Sequence, residues 1–341
     1  MLRWRCLHRK RLAWLDYSHV KAKSLQDSEQ VESWQVRKGL FTRDILSGIR
    51  FEVDDLELLM GRVAPRPAEL SDEDLKQAGV CLARYRWPGG QTGHCELDLS
   101  RLYHGGIAGM QADLRRRLDG APGPEAAACQ SFLHALDGLS AMCENCARTA
   151  EAAMAAAEPA RQAELRNMME SCRRLAHQPP ETFRDAIQIL WLTILGLWIA
   201  EGVGLVVPGH LDRTLAPFYD RDLEAGRLDR SGALRLIEAL YLLVNELIPD
   251  GLAVSVMVGG RDAAGNDVTN DLSHLCLEAL RRTKLVYPTV GVCWHEGTPA
   301  ELVDLGVDLV GKGYSNPAFF GDETIQKGLR NLRVPPDQSC Y

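Results

Sequence analysis

Residues 251–260 read GLAVSVMVGG, residues 288–295 read PTVGVCWH and residues 316–321 read NPAFFG. Each is a short apolar run rich in Val or Phe and bounded by Gly, Pro or a polar residue. That is the pattern of strands buried on both faces. Helical patterns lie between them. One starts near Thr269. The next starts at Thr298-Pro299-Ala300-Glu301, where Thr298 stands as N-cap, Pro takes the first helical position and Glu follows the cap by three residues. Asp322 reads as the N-cap of the last helix. Strands alternating with helices imply βαβ units and a mostly parallel sheet, an α/β fold.

Upstream of this region the chain reads as helix-rich. Phe183, Ile187, Leu190, Trp191, Ile194 and Trp198 form one stripe at helical spacing, and Ile189, Leu192 and Leu195 make the opposite face apolar too. A helix apolar all round is buried between layers. The uncharged run from Ala186 to Ala200 is too short to span a bilayer. A helical stretch runs from about Ala126 to Arg174 and breaks at Pro159, after a turn at GAPGPE (120–125). Another helix is expected from about Leu99 to Leu118, following turn-rich sequence around WPGGQTG. Residues 1–50 read as helices or loosely ordered segments. The expected organisation is therefore an N-terminal segment, 1–50, and a domain over 51–341. That domain has a helical front (about 51–250) and a strand–helix region (about 251–341).

The chain has 341 residues, 46% of them apolar, enough to bury a large core. A formal charge of −7 argues against a nucleic-acid binder or a basic membrane-surface protein. Met1 to Lys10 is basic but has no apolar h-region behind it, so no secretory signal is expected. The ten cysteines lack framework spacing. Reduced thiols in the cytoplasm are the expectation. Cys143 and Cys146 form a CxxC in an Ala-rich helical stretch with no second pair. They read as buried or half-buried thiols in preference to a metal or redox site. The familiar catalytic motifs fail. His295-Glu296 is followed by Gly-Thr-Pro, so HExxH is not completed, and no GxGxxG, P-loop or GxSxG is present. No metal site is expected.

Order along the chain says more. Pro179-Pro180-Glu181-Thr182-Phe183-Arg184-Asp185-Ala186-Ile187-Gln188 leads to Glu201-Gly202, then to Gly226-Arg227-Leu228. Next come Gly265, Asp267 and Thr269-Asn270-Asp271-Leu272-Ser273. His295 with Thr298-Pro299 follows, then Asn316-Pro317 and Gly321-Asp322-Glu323. This succession resembles the pyruvate formate-lyase domain of glycyl radical enzymes, with its PPxTFxEAIQ helix, GxDxTNELS stretch, H-x-x-TP strand ending and GxPxFxNDE segment. Residues 160–330 carry most of the resemblance. VDDLELLMG (53–61) and GHCELDLSRLYHGGI (93–107) carry a looser part.

The resemblance implies a fold in which two five-stranded half-barrels close into a ten-stranded β/α barrel dressed by helices. This chain would supply the first half-barrel and its surrounding helices. It also implies radical chemistry on a small metabolite, in which a glycyl radical takes hydrogen from a cysteine whose thiyl radical then reacts with substrate. A radical-SAM activating enzyme would install the glycyl radical, and a homodimer is the implied assembly. The family's GCVE-like cysteine loop and RVxGY-like glycine loop are not found in these residues. Cys340 lacks the following Val-Glu and does not read as the thiyl cysteine. No catalytic residue and no bound cofactor are therefore expected of this stretch. It would act with a C-terminal half, or stand as a non-catalytic fragment or binding subunit.

Three residues are candidates for substrate contact. Trp294 stands where pyruvate formate-lyase has a tryptophan beside its substrate site; packing at a strand end is the other reading. His94 lies in the GH motif that contacts a substrate hydroxyl in the diol-dehydratase-like branch, where a neutral imidazole can accept a hydrogen bond; a turn histidine bonded to nearby backbone is the alternative. His295 either points into the barrel mouth or caps its strand, and the second is favoured. The diol-dehydratase-like branch has a His-Ser pair after Glu-x-x-Gly, whereas Leu205-Val206 follows Glu201-Gly202-Val203-Gly204 here. That exchange points away from a small polyol. Asp212 and Arg213 are expected to fix a turn.

Overall fold

The computed structural model describes residues 1–8, 17–64, 69–85, 94–248 and 253–335. The first elements are α1 (Leu2–His8), α2 (Ser18–Asp27), α3 (Trp34–Gly48), β1 (Phe51–Glu52), β2 (Arg62–Val63), α4 (Asp72–Leu82) and β3 (His94–Glu96). Four long helices follow: α5 (Ser100–Leu118), α6 (Gly123–Met154), α7 (Pro159–His177) and α8 (Phe183–Gly196), the last running into a π-helical turn at Leu197–Glu201. Then come β4 (Leu205–His210), α9 (Leu211–Glu224), α10 (Arg230–Leu247), β5 (Ala253–Gly259), α11 (Asp271–Thr283), β6 (Thr289–Trp294), α12 (Ala300–Gly311), β7 (Ala318–Gly321) and α13 (Asp322–Asn331). The chain forms two compact units. One comprises Arg9–Gly93 and Leu99–Gly204. The other comprises Met1–His8, His94–Asp98 and Leu205–Tyr341.

The first unit is helical. Its centre is α8, in which twelve of fourteen side chains are buried, including Trp191 and Phe183. This meets the expectation of a helix apolar all round and enclosed by protein. Thr182 and Asp185 close a capping box at its start. Pro159 takes the first position of α7, where its missing N–H costs nothing. The 54–63 loop is strapped down by long side chains. Gln188 brackets the Met60 peptide, accepting from its N–H at 2.8 Å and donating to its carbonyl at 2.9 Å. Arg161 donates to the carbonyls of Asp54 and Glu57. Gly61 sits at φ 122, and a Cβ there would lie 2.3 Å from the Trp191 Nε1 atom.

α3 and α6 approach until their backbones touch. A Cβ on Gly39 would lie 2.5 Å from the Ser131 Cα, and one on Gly138 would lie 2.7 Å from the Arg43 Cα. Backbone cannot swing aside as a side chain can, so Gly39→Ala must push the helices apart. A loss of about 2 kcal/mol is expected from overpacking, read in urea unfolding followed by tryptophan fluorescence. An unchanged midpoint would contradict this account of the crossing.

The second unit is built on a five-stranded sheet in the order β3-β4-β5-β6-β7, parallel throughout. α9 and α11 pack on it. α1 is held to α10 by the buried Arg5–Glu246 ion pair at 2.8 Å. The strands expected at 251–260, 288–295 and 316–321 are present as β5, β6 and β7. Two further strands come from earlier in the chain. β3 is only three residues long, and β4 contains Pro208 and Gly209, residue types that favour turns over strands. β4 tolerates them through a register irregularity between Val206 and Gly209.

Three local expectations are corrected. Thr298 is not the N-cap of α12; Pro299 is, and the Thr298 hydroxyl instead accepts from the His295 N–H at 2.9 Å. Asp322 is not an N-cap either. It is the first residue of α13, and its carboxylate turns to Arg261 at 2.8 Å. Burial on both faces holds for β6 from Val290 to Cys293 but not for β5 or β7. Along β5, Val254, Val256 and Val258 are fully buried while Ser255 and Met257 are half-buried. The apolar run of β5 therefore carries the two-residue alternation of a strand covered fully on one side only.

Candidate functional site

Side chains of residues paired across a sheet share a face, and the face alternates along each strand. Gly291 of β6 pairs with Met257 and with Ala318. A Cβ on Gly291 would lie 2.6 Å from the Met257 Sδ and 2.7 Å from the Phe320 ring. Met257 and Phe320 thus meet across β6 over a glycine that leaves them room. Phe319, one residue away, lies against Gly306 of α12, which identifies the helix-covered face. The opposite, half-open face carries Leu205, Val207, Ser255, Met257, Thr289, Gly291, Cys293 and Phe320.

Of the sequence candidates, His94 opens β3 and pairs with Leu205, which opens β4. Both sit at the amino ends of their strands, with Leu205 in turn level with Ala253. The side chain of His94, the WPGGQTG turn and Cys340 lie outside the described residues. Trp294 is at the other end. It pairs with Gly321, follows Val290 and Val292 in alternation, and so belongs to the helix-covered face, where it remains 43% exposed beyond the strand. His94 and Trp294 are separated by seven steps in strand register, roughly 23 Å at ~3.3 Å per residue. The sheet does not bring them together.

His295 lies next to Trp294, and its imidazole is enclosed, with Nε2 3.0 Å from Asp267 Oδ1. Its Nδ1 accepts from the Gly297 N–H at 3.1 Å. Asp267 also accepts from the backbone and hydroxyl of Thr269. This is a closed strand end.

The carboxyl ends of β4, β5 and β6 hold a second polar constellation that the sequence reading only touched. Asp212 is fully buried. It accepts from the Gly259 N–H at 2.7 Å and from the Ser273 hydroxyl. Burial pushes its carboxyl up to about 6, against the lowering effect of those hydrogen bonds and of Arg213. Arg213 donates to the carbonyls of Gly259 and Arg261. Asp212 and Arg213 therefore fix the 259–261 turn, as expected. Cys293 is buried beside them, and burial, with Asp322 nearby, pushes its thiol up to about 11. It is a poor nucleophile as it stands. In the helical unit Cys143 and Cys146 are fully buried beside Cys172, and burial holds both thiols well above their ordinary range. Among the described residues no three His, Cys, Asp or Glu side chains converge as metal ligands do.

Comparison with known proteins agrees with the parallel sheet and its helical cover. The family profile described as pyruvate formate lyase-like matches residues 67–340. The chain belongs to that family. One relative is (2S)-3-sulfopropanediol dehydratase of Klebsiella oxytoca, 32% identical over 260 residues, 70% of this chain and 31% of that enzyme. Another is trans-4-hydroxy-L-proline dehydratase of Clostridioides difficile, 29% identical over 186 residues, 50% of this chain and 24% of that enzyme. A solved structure from Roseburia inulinivorans, described for 1,2-propanediol dehydration, superposes with a TM-score of 0.88 at 20% identity. It covers 99% of this chain and 52% of its own. The chain thus spans about half the length of that solved structure, and its matching stretches cover a third or less of the two curated relatives. Its fold is that part of a glycyl radical enzyme barrel.

Proposed function

We propose that this chain is the front part of a glycyl radical enzyme acting on a small metabolite, and that its half-open sheet face lines the reaction chamber. The observation that carries this is the His94–Leu205 pairing. Two positions picked out separately in the sequence, one in the GH motif and one after Glu-x-x-Gly, are cross-strand neighbours. The glycyl radical and its partner thiol would supply hydrogen abstraction from loops beyond these residues. The chain's own part is to hold and orient substrate and to exclude water from the reacting centre.

Leu205, Val207, Met257 and Phe320 make this wall apolar. The reading is therefore a dehydratase- or lyase-type enzyme whose substrate is less polar than a small polyol. A cytoplasmic location, a radical-SAM activase and a dimeric assembly belong to the same proposal, as does an acyltransferase activity as the other outcome. A second reading is a binding subunit that pairs with a separately encoded C-terminal half. The half-burial of Ser255 and Met257 and the exposure of Phe320 favour it, since a second wall would finish covering them.

The gene sequence past the codon for Tyr341 tests both. The expected result is an open frame continuing into a Cys-Val-Glu loop and a later Arg-Val-x-Gly segment. The same elements in a neighbouring frame would select the second reading. Finding neither would overturn the enzyme proposal.

A further inference from the structure

α13 is inside out. Among the described residues its only buried side chain is Gln326, which is polar. Ile325 is 44% exposed, and Leu332 just past the helix is 77% exposed. Surface helices normally do the reverse, burying an apolar stripe and offering polar groups to water. Leu329 is half-buried, and the polar contacts of α13 converge on Arg261, which lies just beyond β5. Arg261 Nε donates to Asp322 at 2.8 Å and Nη1 to Glu323 at 3.1 Å, while Nη2 stands 3.5 Å from the Gln326 carbonyl. Gln326 in turn donates to Asp322 at 3.1 Å. Three residues on two turns of helix thus depend on one guanidinium.

We infer that α13 is a hinged strap over the carboxyl end of the sheet, pivoting at Gly321 and latched by Arg261. Gly321 pairs with Trp294, directly after Cys293, and Asp322 is close enough to Cys293 to act on its thiol. The latched strap therefore starts beside the strand end that carries Cys293. With the latch released, little apolar burial holds the helix down. It opens by itself, while the strands beneath it keep their ladder. Such local opening belongs to the low-stability end of a structure.

Hydrogen exchange read by mass spectrometry on the 341-residue chain tests this, together with N-ethylmaleimide labelling mapped to Cys293. In Arg261→Met, residues 322–331 are expected to exchange about tenfold faster, and Cys293 to label faster by a similar factor. Peptides from α11 and β6 are expected to stay at wild-type rates. Raising salt from about 0.1 to about 1 M shortens the screening length from about 10 to 3 Å and should move the wild type in the same direction. Wild-type exchange of α13 in the variant would overturn the strap. So would α11 and β6 opening together with it at high salt. If Arg261→Met does not fold, the Asp322→Asn, Glu323→Gln double variant removes the latch from the other side and is read by the same two outcomes.

Discussion

Asp185→Ala is expected to lower the stability of the helical unit by about 4 kcal/mol, the scale of breaking a buried charge network by removing one partner. The carboxylate is fully buried. Oδ1 accepts from the Ser171 hydroxyl. Oδ2 accepts from Arg174 Nε at 3.0 Å and from the N–H groups of Glu181 and Thr182, both at 3.1 Å. Truncation leaves the buried Ser171 hydroxyl and the half-buried Arg174 and Thr182 donors without their acceptor, and each buried unsatisfied group is costly. It also breaks the capping box that starts α8, the helix on which the unit is packed. Asp185→Asn keeps the shape and loses the charge, so it should cost about half as much. The measurement is the opening free energy of α7 and α8 amides in native-state exchange. A loss below about 1 kcal/mol for the alanine variant would show that the network is dispensable.

The sequence made some of this legible and hid the rest for identifiable reasons. The helix around Trp191 was readable because an apolar residue at every turn on both faces has no solvent-side solution. β5, β6 and β7 were readable because Val-rich runs between Gly and Pro have few alternatives. β3 was not, since three residues carry no periodicity. β4 was hidden because Pro208 and Gly209 argue for a turn in any local reading, and only the neighbouring β5 makes the irregular strand worthwhile. Thr298 and Asp322 fit N-cap patterns, yet Thr298 accepts from His295 three residues back in the turn and Asp322 turns to Arg261 across the fold. Cap patterns name the residue type and not its partner, which a neighbouring turn (Thr298) or a tertiary contact (Asp322) can take instead.

The candidate site shows the same division. His94 and Leu205 came from order and motif, and the register makes them neighbours. Trp294 came from a similar argument, but alternation along β6 sets it with Val290 and Val292. Face assignment depends on a register that sequence alone does not supply, because a one-residue slip exchanges the two faces. The Met257–Phe320 contact over Gly291 left one faint signal, a glycine inside a strand pattern, which often marks a close approach. The Arg261 latch left none, since its partners lie some sixty residues away in sequence.

The carboxyl end of the sheet should also respond to pH in a direction opposite to that of carboxylates held by ion pairs. Asp212 has its proton affinity raised in the fold to about 6 from 3.8, chiefly by burial. Between those two values the native state holds more protons than the unfolded chain, so stability falls as pH rises. The contribution is fully present below about pH 4 and is lost as pH passes through 6. At 1.36 kcal/mol per unit, the swing is about 3 kcal/mol. Asp212→Asn has no proton to lose, and its amide oxygen can still accept from Gly259 and Ser273. Its stability relative to the wild type should therefore improve by about 3 kcal/mol between pH 4 and pH 7.5. Comparing only the difference between the two proteins removes the titration of every group they share. Urea unfolding of both at four or five pH values checks this. A difference that is flat with pH would mean that the Ser273 and Gly259 hydrogen bonds, with Arg213, fully offset burial, and that Asp212 is an ordinary carboxylate holding the 259–261 turn as an anion. A difference that grows as predicted would make it a protonated latch under physiological acidification, bonded to the turn that carries Arg261.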